Sequence, residues 1–411
     1  MDVVVQRCAF LDVHRDTIMA CARTPDGAGG RREETVQFRT TTSQLLALAD
    51  WLVARDVTLV GMEATGVYWK APHWILEEAI DEVWVINARH MRNVPGRKTD
   101  VADAAWGAQL IEHGLVRPSF IPPRPTREQR DLTRYRKSVI EERGRETQRL
   151  HKVLEDAGVK LSSVASSVLT ASGREMIDAL IAGQRDPEVL AQMAKGRMRS
   201  KIPELKDALA GRFNEHHALL CRTMLARIDQ ADATINELTA RIEALLDPHE
   251  AAVSLLVGIP GVSNRLAQVI LAEIGTDMSR FPTPGHLASW AGMCPGNNES
   301  AGKHRSGRTR HGSKWLGIAL VEAAHAAGRS KNTYLSSQYA RIRGRRGAGR
   351  AAVAVGHSIL VICWHLLSTG ETYTDLGGDY FDKRRTSTAH QRRLVAQLEA
   401  MGHKVTLEPA A

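Results

Sequence analysis

Cysteine is scarce in this 411-residue chain and dispersed: Cys8, Cys21, Cys221, Cys294 and Cys363, with no CxxC pair. That excludes a zinc ribbon and a disulfide framework and suits a reducing, cytoplasmic setting. No run reaches the roughly 18 apolar residues of a bilayer span. The N-terminus has no basic segment followed by an apolar one, so neither membrane insertion nor secretion is expected. The most apolar late stretch, Ala351 to Leu367, carries His357 and His365 and reads as a buried helix. A GxxxxGK[ST] phosphate loop is missing, which counts against a sugar-kinase or actin-like ATPase. Acidic residues almost vanish from positions 301–350, where Glu322 alone stands against twelve Lys and Arg.

That last shortage locates the charge. This segment is +11 whereas the whole chain is +9, so the remaining residues sum to −2. Such local basicity is the footprint expected for a phosphate backbone, and also that of a solvated basic loop. Hydrophobic residues at 43% and charged residues at 25% are ordinary for a globular protein, and the length allows two to four domains.

The first ~115 residues alternate strands and helices. Strands are expected at Cys8–Asp12, Thr17–Thr24 and near Glu34–Arg39, with a Pro25-Asp26-Gly27 turn between the last two. A helix follows from Ser43 to Arg55, capped by Thr42 or Ser43. Strand Thr58–Glu63, helix Val67–Ala79, strand Glu82–Asn87 and a helix from Asp100 to about His113 complete the set. This is the element order of a ribonuclease H-like α/β fold, with acids on its first strand, fourth strand and final helix. Asp12, Glu63 and the Asp100/Asp103 pair occupy those places. Carboxylates from two strand ends plus an i,i+3 pair on one helix face can converge on paired divalent metals that cut phosphodiesters. Each acid alone is ordinary surface; the ordered set is the signal.

Prolines 118, 122, 123 and 125 end this domain, and a charged helical region follows. Its first long helix shows only a ragged stripe (Leu132, Val139, Leu150, Val153, Leu154). In the second, Met224, Ile228, Ala231, Ile235, Leu238, Ile242 and Leu245 keep 4-3 spacing up to Asp247-Pro248. That seam predicts antiparallel pairing with the earlier helix or with a partner chain. From about Ala251 a mainly helical domain begins. Its Ile259-Pro260-Gly261-Val262 turn before an apolar helix (Leu266 to Ile274) is similar to a helix-hairpin-helix phosphate turn. Ser300, in a Gly-rich loop beside Lys303, Arg305, Arg308 and Arg310, is either a nucleophile for a phosphodiester or a serine that caps a turn.

Three blocks now resemble one family. They are Phe10-Leu11-Asp12-Val13-His14, Met62-Glu63-Ala64-Thr65-Gly66-Val67-Tyr68-Trp69 and Arg97-Lys98-Thr99-Asp100-Val101-Ala102-Asp103-Ala104. They look like the signature of the DEDD transposases of the IS110 insertion-sequence family. Ile259–Val262 and Cys294–Gly312 resemble that family's C-terminal transposase domain. Family loops often read Ser-Ser-Gly-Gly-Lys, where this chain has Glu299-Ser300-Ala301-Gly302-Lys303.

The resemblance implies a RuvC-like domain over 1–120 whose four acids bind magnesium. It also implies a helical coiled-coil region over 121–250, a transposase domain over 251–375 and a tail over 376–411 with a short helix at Arg392–Met401. Ser300 falls on the family's nucleophile. The activity implied is serine-linked strand exchange between donor and target DNA by a homo-oligomer, a dimer or tetramer, guided by a structured non-coding bridge RNA. Lys303, Arg305, Arg308, Arg310 and Lys314 would hold nucleic-acid phosphates. The rivals are a RuvC-like junction nuclease that uses metal-activated water, and a non-catalytic nucleic-acid binder. His14-Arg15-Asp16 is similar to a kinase catalytic loop, but Cys21 stands where that loop needs Asn.

Overall fold

The computed structural model describes residues 2–64, 66–87, 100–294, 298–300, 303–306, 309, 312–383 and 387–407. They fall into two compact units, 1–122 and 123–411.

The first unit is built on a five-stranded mixed sheet. Its strands are β1 (Cys8–Val13), β2 (Thr17–Pro25), β3 (Arg31–Arg39), β4 (Leu59–Glu63) and β5 (Glu82–Ile86). The spatial order is β3-β2-β1-β4-β5. β1, β2 and β3 pair antiparallel, while β4 lies parallel to both β1 and β5. This arrangement is consistent with a ribonuclease H-like domain. Asp26 Oδ1 closes the β2–β3 hairpin by accepting from the N–H groups of Ala28 and Gly30.

Because side chains alternate along a strand, the two faces of β1 serve two cores. Ala9, Leu11 and Val13 pack with Leu45, Leu48 and Leu52 of helix α1 (Thr42–Val53) and with Leu76 of α2 (Lys70–Leu76). Cys8 and Phe10 pack with Ala104, Ala108 and Ile111 of α3 (Asp100–Glu112). Two details differ from the sequence expectation. The N-cap of α1 is Thr41, without a side-chain capping bond, because Thr40 is still tied to the sheet loop through Asp16 O and Arg15 O. Helix α2 is shorter than Val67–Ala79, since a start at Val67 would put Pro72 in the helix interior. Starting at Lys70 leaves Pro72 in the first turn, where its missing N–H costs nothing.

The second unit opens with α4 (Arg124–Asp156), a 33-residue helix with Pro125 in its first turn. Short helices α5 (Leu161–Val164), α6 (Ala171–Ile181), α7 (Pro187–Ala191) and α8 (Ile202–Leu209) lead to α9 (Glu215–Leu246), of 32 residues. α4 and α9 run antiparallel, so the partner of the predicted seam is the earlier helix of the same chain. The rungs pair early residues of α4 with late ones of α9. Gln129 Nε2 donates to Leu245 O at 3.2 Å, Arg136 Nη1 to Thr239 Oγ1 at 3.2 Å and Arg143 Nη2 to Asp232 Oδ2 at 3.0 Å. Ile228, Ile235 and Ile242 are buried along the seam as expected, whereas Leu238 and Leu245 are only partly covered.

The chain continues through α10 (Glu250–Val257), α11 (Asn264–Ile274), α12 (Pro284–Trp290), a two-stranded ribbon of β6 (Asn298–Ser300) and β7 (Lys303–Ser306), and α13 (Lys314–Ala327). α14 (Tyr334–Arg346), α15 (Ala348–Thr369), α16 (Tyr380–Lys383) and α17 (Ser387–Ala400) complete it. Among the described residues one helix, α15, is long and apolar enough to cross a membrane by length and composition. Here Val355, Ile359, Leu360 and Cys363 are buried in it, and it packs on α12, α13 and α14.

Candidate active site

The register of the sheet decides where the acids of the first unit lie. Leu11 pairs with Met62 across β1 and β4, so Asp12 and Glu63 are the next residues on two adjacent parallel strands. By the alternation of side chains both belong to the face of Phe10 and Leu59, the one α3 covers. Gly107 of α3 sits directly on Phe10: a Cβ there would lie 2.3 Å from the ring. Cys8 Sγ lies 3.6 Å from Ala108 O, so α3 descends toward the end of β1 as its numbering falls. Asp103, one turn before Gly107, is partly buried on that approach.

Asp12 has a neighbour that the strand pattern did not single out. His14 Nε2 lies 3.2 Å from Asp12 Oδ2, with the imidazole half exposed and the carboxylate 16% exposed. The Asp-x-His spacing at a strand end was the available signal, since residues i and i+2 share a face. Among the described residues no three His, Cys, Asp or Glu gather into a metal-binding group. The side chain of Asp100, whose backbone begins α3, lies outside the described residues. The donor chemistry nevertheless suits a hard divalent cation, because Asp12, Glu63 and Asp103 offer only carboxylate oxygens from the two strand ends and the helix over them.

A second carboxylate was missed altogether. Glu112, the last residue of α3, is 1% exposed. Its Oε2 accepts from Arg23 Nε at 3.0 Å and its Oε1 from Arg31 Nε at 2.6 Å. Its backbone carbonyl takes the N–H groups of Val4 and Val5. These bonds fasten the far end of the acid-bearing helix across β2 and β3. In sequence, Glu112 reads as a solvated helix end, and nothing local marks it otherwise.

In the second unit Ser300 ends β6 in register with Lys303 of β7, so the expected loop is a β-ribbon at this point. The side chains of Ser300, Lys303 and Arg305 lie outside the described residues, as do Arg308 and Arg310 entirely. Lys314 opens α13 and is exposed. The described residues on either side of 295–311 pack together. Met293 is buried, and a Cβ on Gly312 would fall 2.1 Å from Ala291 O, so the two lie side by side. Ser313, the N-cap of α13, donates to Glu273 Oε2 at 2.8 Å. Glu273 is 1% exposed and also takes both Arg134 Nε at 2.8 Å and Nη2 at 2.9 Å. This buried carboxylate, likewise unmarked in sequence, ties α4, α11 and the start of α13 together. The helix-hairpin-helix-like turn faces the same helix: Gly261, at φ +90°, leaves no room for a Cβ, which would lie 2.4 Å from Ala323 O.

Residues 11–158 match the DEDD transposase family of IS110, and residues 253–340 match the transposase IS116/IS110/IS902 family. A 43.6 kDa protein of insertion element IS110 from Streptomyces coelicolor is 38% identical over 108 residues, 25% of this chain and 26% of that protein. The putative transposase for IS117, the mini-circle of the same organism, is 31% identical over 121 residues, 29% of this chain and 27% of its own length. The transposase for insertion sequence element IS1111A of Coxiella burnetii is 25% identical over 187 residues, 44% of this chain and 51% of its own length. The aligned stretches thus span from about a quarter to about half the length of these relatives.

Proposed function

The chain belongs to the IS110 family of transposases, and from that premise we propose that it is a DNA transposase that cleaves and exchanges strands through Ser300. Asp12, Glu63, Asp100 and Asp103 are the residues that would hold magnesium, which when bound neutralises and polarises a scissile phosphate. Ser300 Oγ attacks the phosphorus, an Oγ–P bond forms and the strand's P–O bond breaks; the serine proton leaves to solvent or a nearby base, and the departing DNA oxygen takes up a proton to leave as a hydroxyl. The phosphoserine link conserves the bond for rejoining when a DNA hydroxyl attacks in turn. Lys303, Arg305, Arg308, Arg310 and Lys314 hold phosphates of donor DNA, target DNA or a structured bridge RNA that supplies the sequence specificity. The work is divided between a RuvC-like domain (1–120) and a transposase domain (251–375), in a homo-oligomer that pairs acids and serines of different subunits.

The observation that supports this most is the neighbouring position of Asp12 and Glu63, at two parallel strand ends on the face covered by the helix of Asp103. The test incubates purified protein with magnesium, its element's flanking RNA and labelled donor DNA, and looks for a covalent adduct. An adduct formed by wild type and abolished in Ser300→Ala and Asp12→Asn is the expected result. Cleavage without an adduct, unchanged in Ser300→Ala, would instead identify a RuvC-like nuclease that uses water.

A further inference from the structure

Between α4, α11 and α13 lies a recess that the proposed chemistry does not use. Its cavity volume is about 70 Å³, room for a group of phosphate size and far short of a pocket that encloses a whole ligand. Arg134, Arg136, Lys137, Arg265, Trp315 and Glu322 are among its lining residues. Two of the cations are already engaged, Arg134 by Glu273 and Lys137 by Glu322 at 3.2 Å.

Arg136 is not fully satisfied. It is 1% exposed, and although Nη1 donates to Thr239 Oγ1, Nη2 has no hydrogen-bond acceptor among the described residues. A buried donor without an acceptor is costly, and more so when the group is charged. Burial first, and then the positive charge of Arg265, pushes this guanidinium down to about 10, while Glu243 acts weakly the other way. Arg265 is exposed in the first turn of α11 and has no ion-pair partner among the described residues. Trp315 sits half-buried in the first turn of α13.

We propose that this recess is a nucleic-acid phosphodiester site, in which phosphate oxygens accept hydrogen bonds from Arg136 and Arg265 while Trp315 offers its ring to the adjoining nucleotide. An anion here supplies the acceptor that Arg136 Nη2 lacks and relieves its repulsion with Arg265. Cations interleaved with an indole are how single-stranded nucleic acid is held without sequence readout. The site rests on the nucleic-acid function proposed above but does not depend on Ser300 or the acids.

The experiment uses the full chain and fluorescence anisotropy across a salt series. The probes are a labelled single-stranded DNA, an RNA of the same sequence and the DNA duplex. Arg136→Met and Arg265→Gln are each expected to weaken at least one probe about tenfold and to flatten its log–log salt slope by roughly one unit. Arg136→Met gives up the Thr239 bond but also removes a buried charge with an unsatisfied Nη2, so its melting temperature should stay close to that of wild type. Unchanged affinity and slope in Arg265→Gln, an exposed substitution that spares the core, overturns the proposal whatever Arg136→Met does. So does a wild type that binds none of the probes. Inorganic phosphate that raises the melting temperature of wild type but not of Arg136→Met, with neither substitution affecting any probe, marks a free-anion site and overturns it too. If these variants lose binding while wild type forms no Ser300 adduct, the site stands and the chemistry falls; if the adduct forms and every variant binds normally, the reverse holds.

Discussion

Replacing Glu112 with alanine tests how the acid-bearing helix is held. The carboxylate is 1% exposed, and its arginine partners, Arg23 and Arg31, are 13% and 19% exposed. Truncation strands two mostly buried guanidinium groups, which for buried pairs costs ~3–5 kcal/mol. Arg23 also reaches Glu33 on the adjacent strand, so the lower end applies, about 3 kcal/mol. The loss falls on one end of α3, and local opening there should be easier by nearly that amount, or roughly a hundredfold. Hydrogen exchange followed by mass spectrometry measures this directly: peptides from 102–112 should exchange about a hundred times faster in Glu112→Ala, while peptides of the second unit keep their rates. Glu112→Gln keeps the shape and an acceptor for one arginine, so it should lie between. Asp100 and Asp103 sit at the other end of this 13-residue helix, so Glu112→Ala should also reduce adduct formation with the serine chemistry untouched. An acceleration below about threefold would refute the idea that this buried carboxylate anchors the helix.

Other perturbations give sharper yes-or-no outcomes. Gly107→Ala places a Cβ 2.3 Å from the Phe10 ring, so a loss of about 1–3 kcal/mol is expected in chemical denaturation, partly recovered by Phe10→Leu. Gly261→Ala should cost more, about 3 kcal/mol or above, because it must hold φ +90° and its Cβ meets backbone atoms of Ala323 and Ala327 that cannot swing aside; the readout is soluble yield and melting temperature. Asp232→Asn removes a bidentate partner of Arg143, but the two side chains are 46% and 32% exposed, so the change in melting should correspond to less than about 1 kcal/mol. Burial holds His357 below its ordinary 6.5, so the unfolded chain takes up that proton first and stability is lost as pH falls through and below 6.5. Wild type should therefore lose more melting temperature than His357→Gln between about pH 7 and about pH 5.

Much of the first unit was legible because two of its strands are short apolar runs that end in acids. Cys8–Asp12 and Thr58–Glu63 lie within a residue of β1 and β4, and Asp100 begins α3 as read. The prolines at 122 and 123 coincide with the break between the two units. The seam of α9 was readable through its isoleucines. That of α4 was not, and the reason is physical: the positions facing α9 include Gln129, Thr133, Arg136 and Glu146, all buried. Their burial is tolerable only because acceptors and counter-charges stand opposite, at Leu245 O, Thr239 and Arg227. A periodicity argument scores such residues as solvent-facing, since their partners lie about a hundred positions away in sequence.

The same blindness explains Glu112 and Glu273, and it bears on how the chemistry is supported. Candidate reactive groups lie on short elements: strand ends, the first turn of a helix, the tip of a ribbon. Such elements bury little by themselves and take their position from what they are tied to. In both units the tie is a carboxylate with 1% exposure facing two arginines, Glu112 with Arg23 and Arg31, and Glu273 with Arg130 and Arg134. Apolar packing alone would fix the depth of α3 and α13 but leave sliding along their axes inexpensive. A charge-assisted, two-sided bond resists sliding, because it weakens steeply once its geometry is lost. The candidate acids and serine were visible in sequence because the motifs that mark them are local. The buried carboxylates that hold the neighbouring helices were hidden because their partners lie far away along the chain.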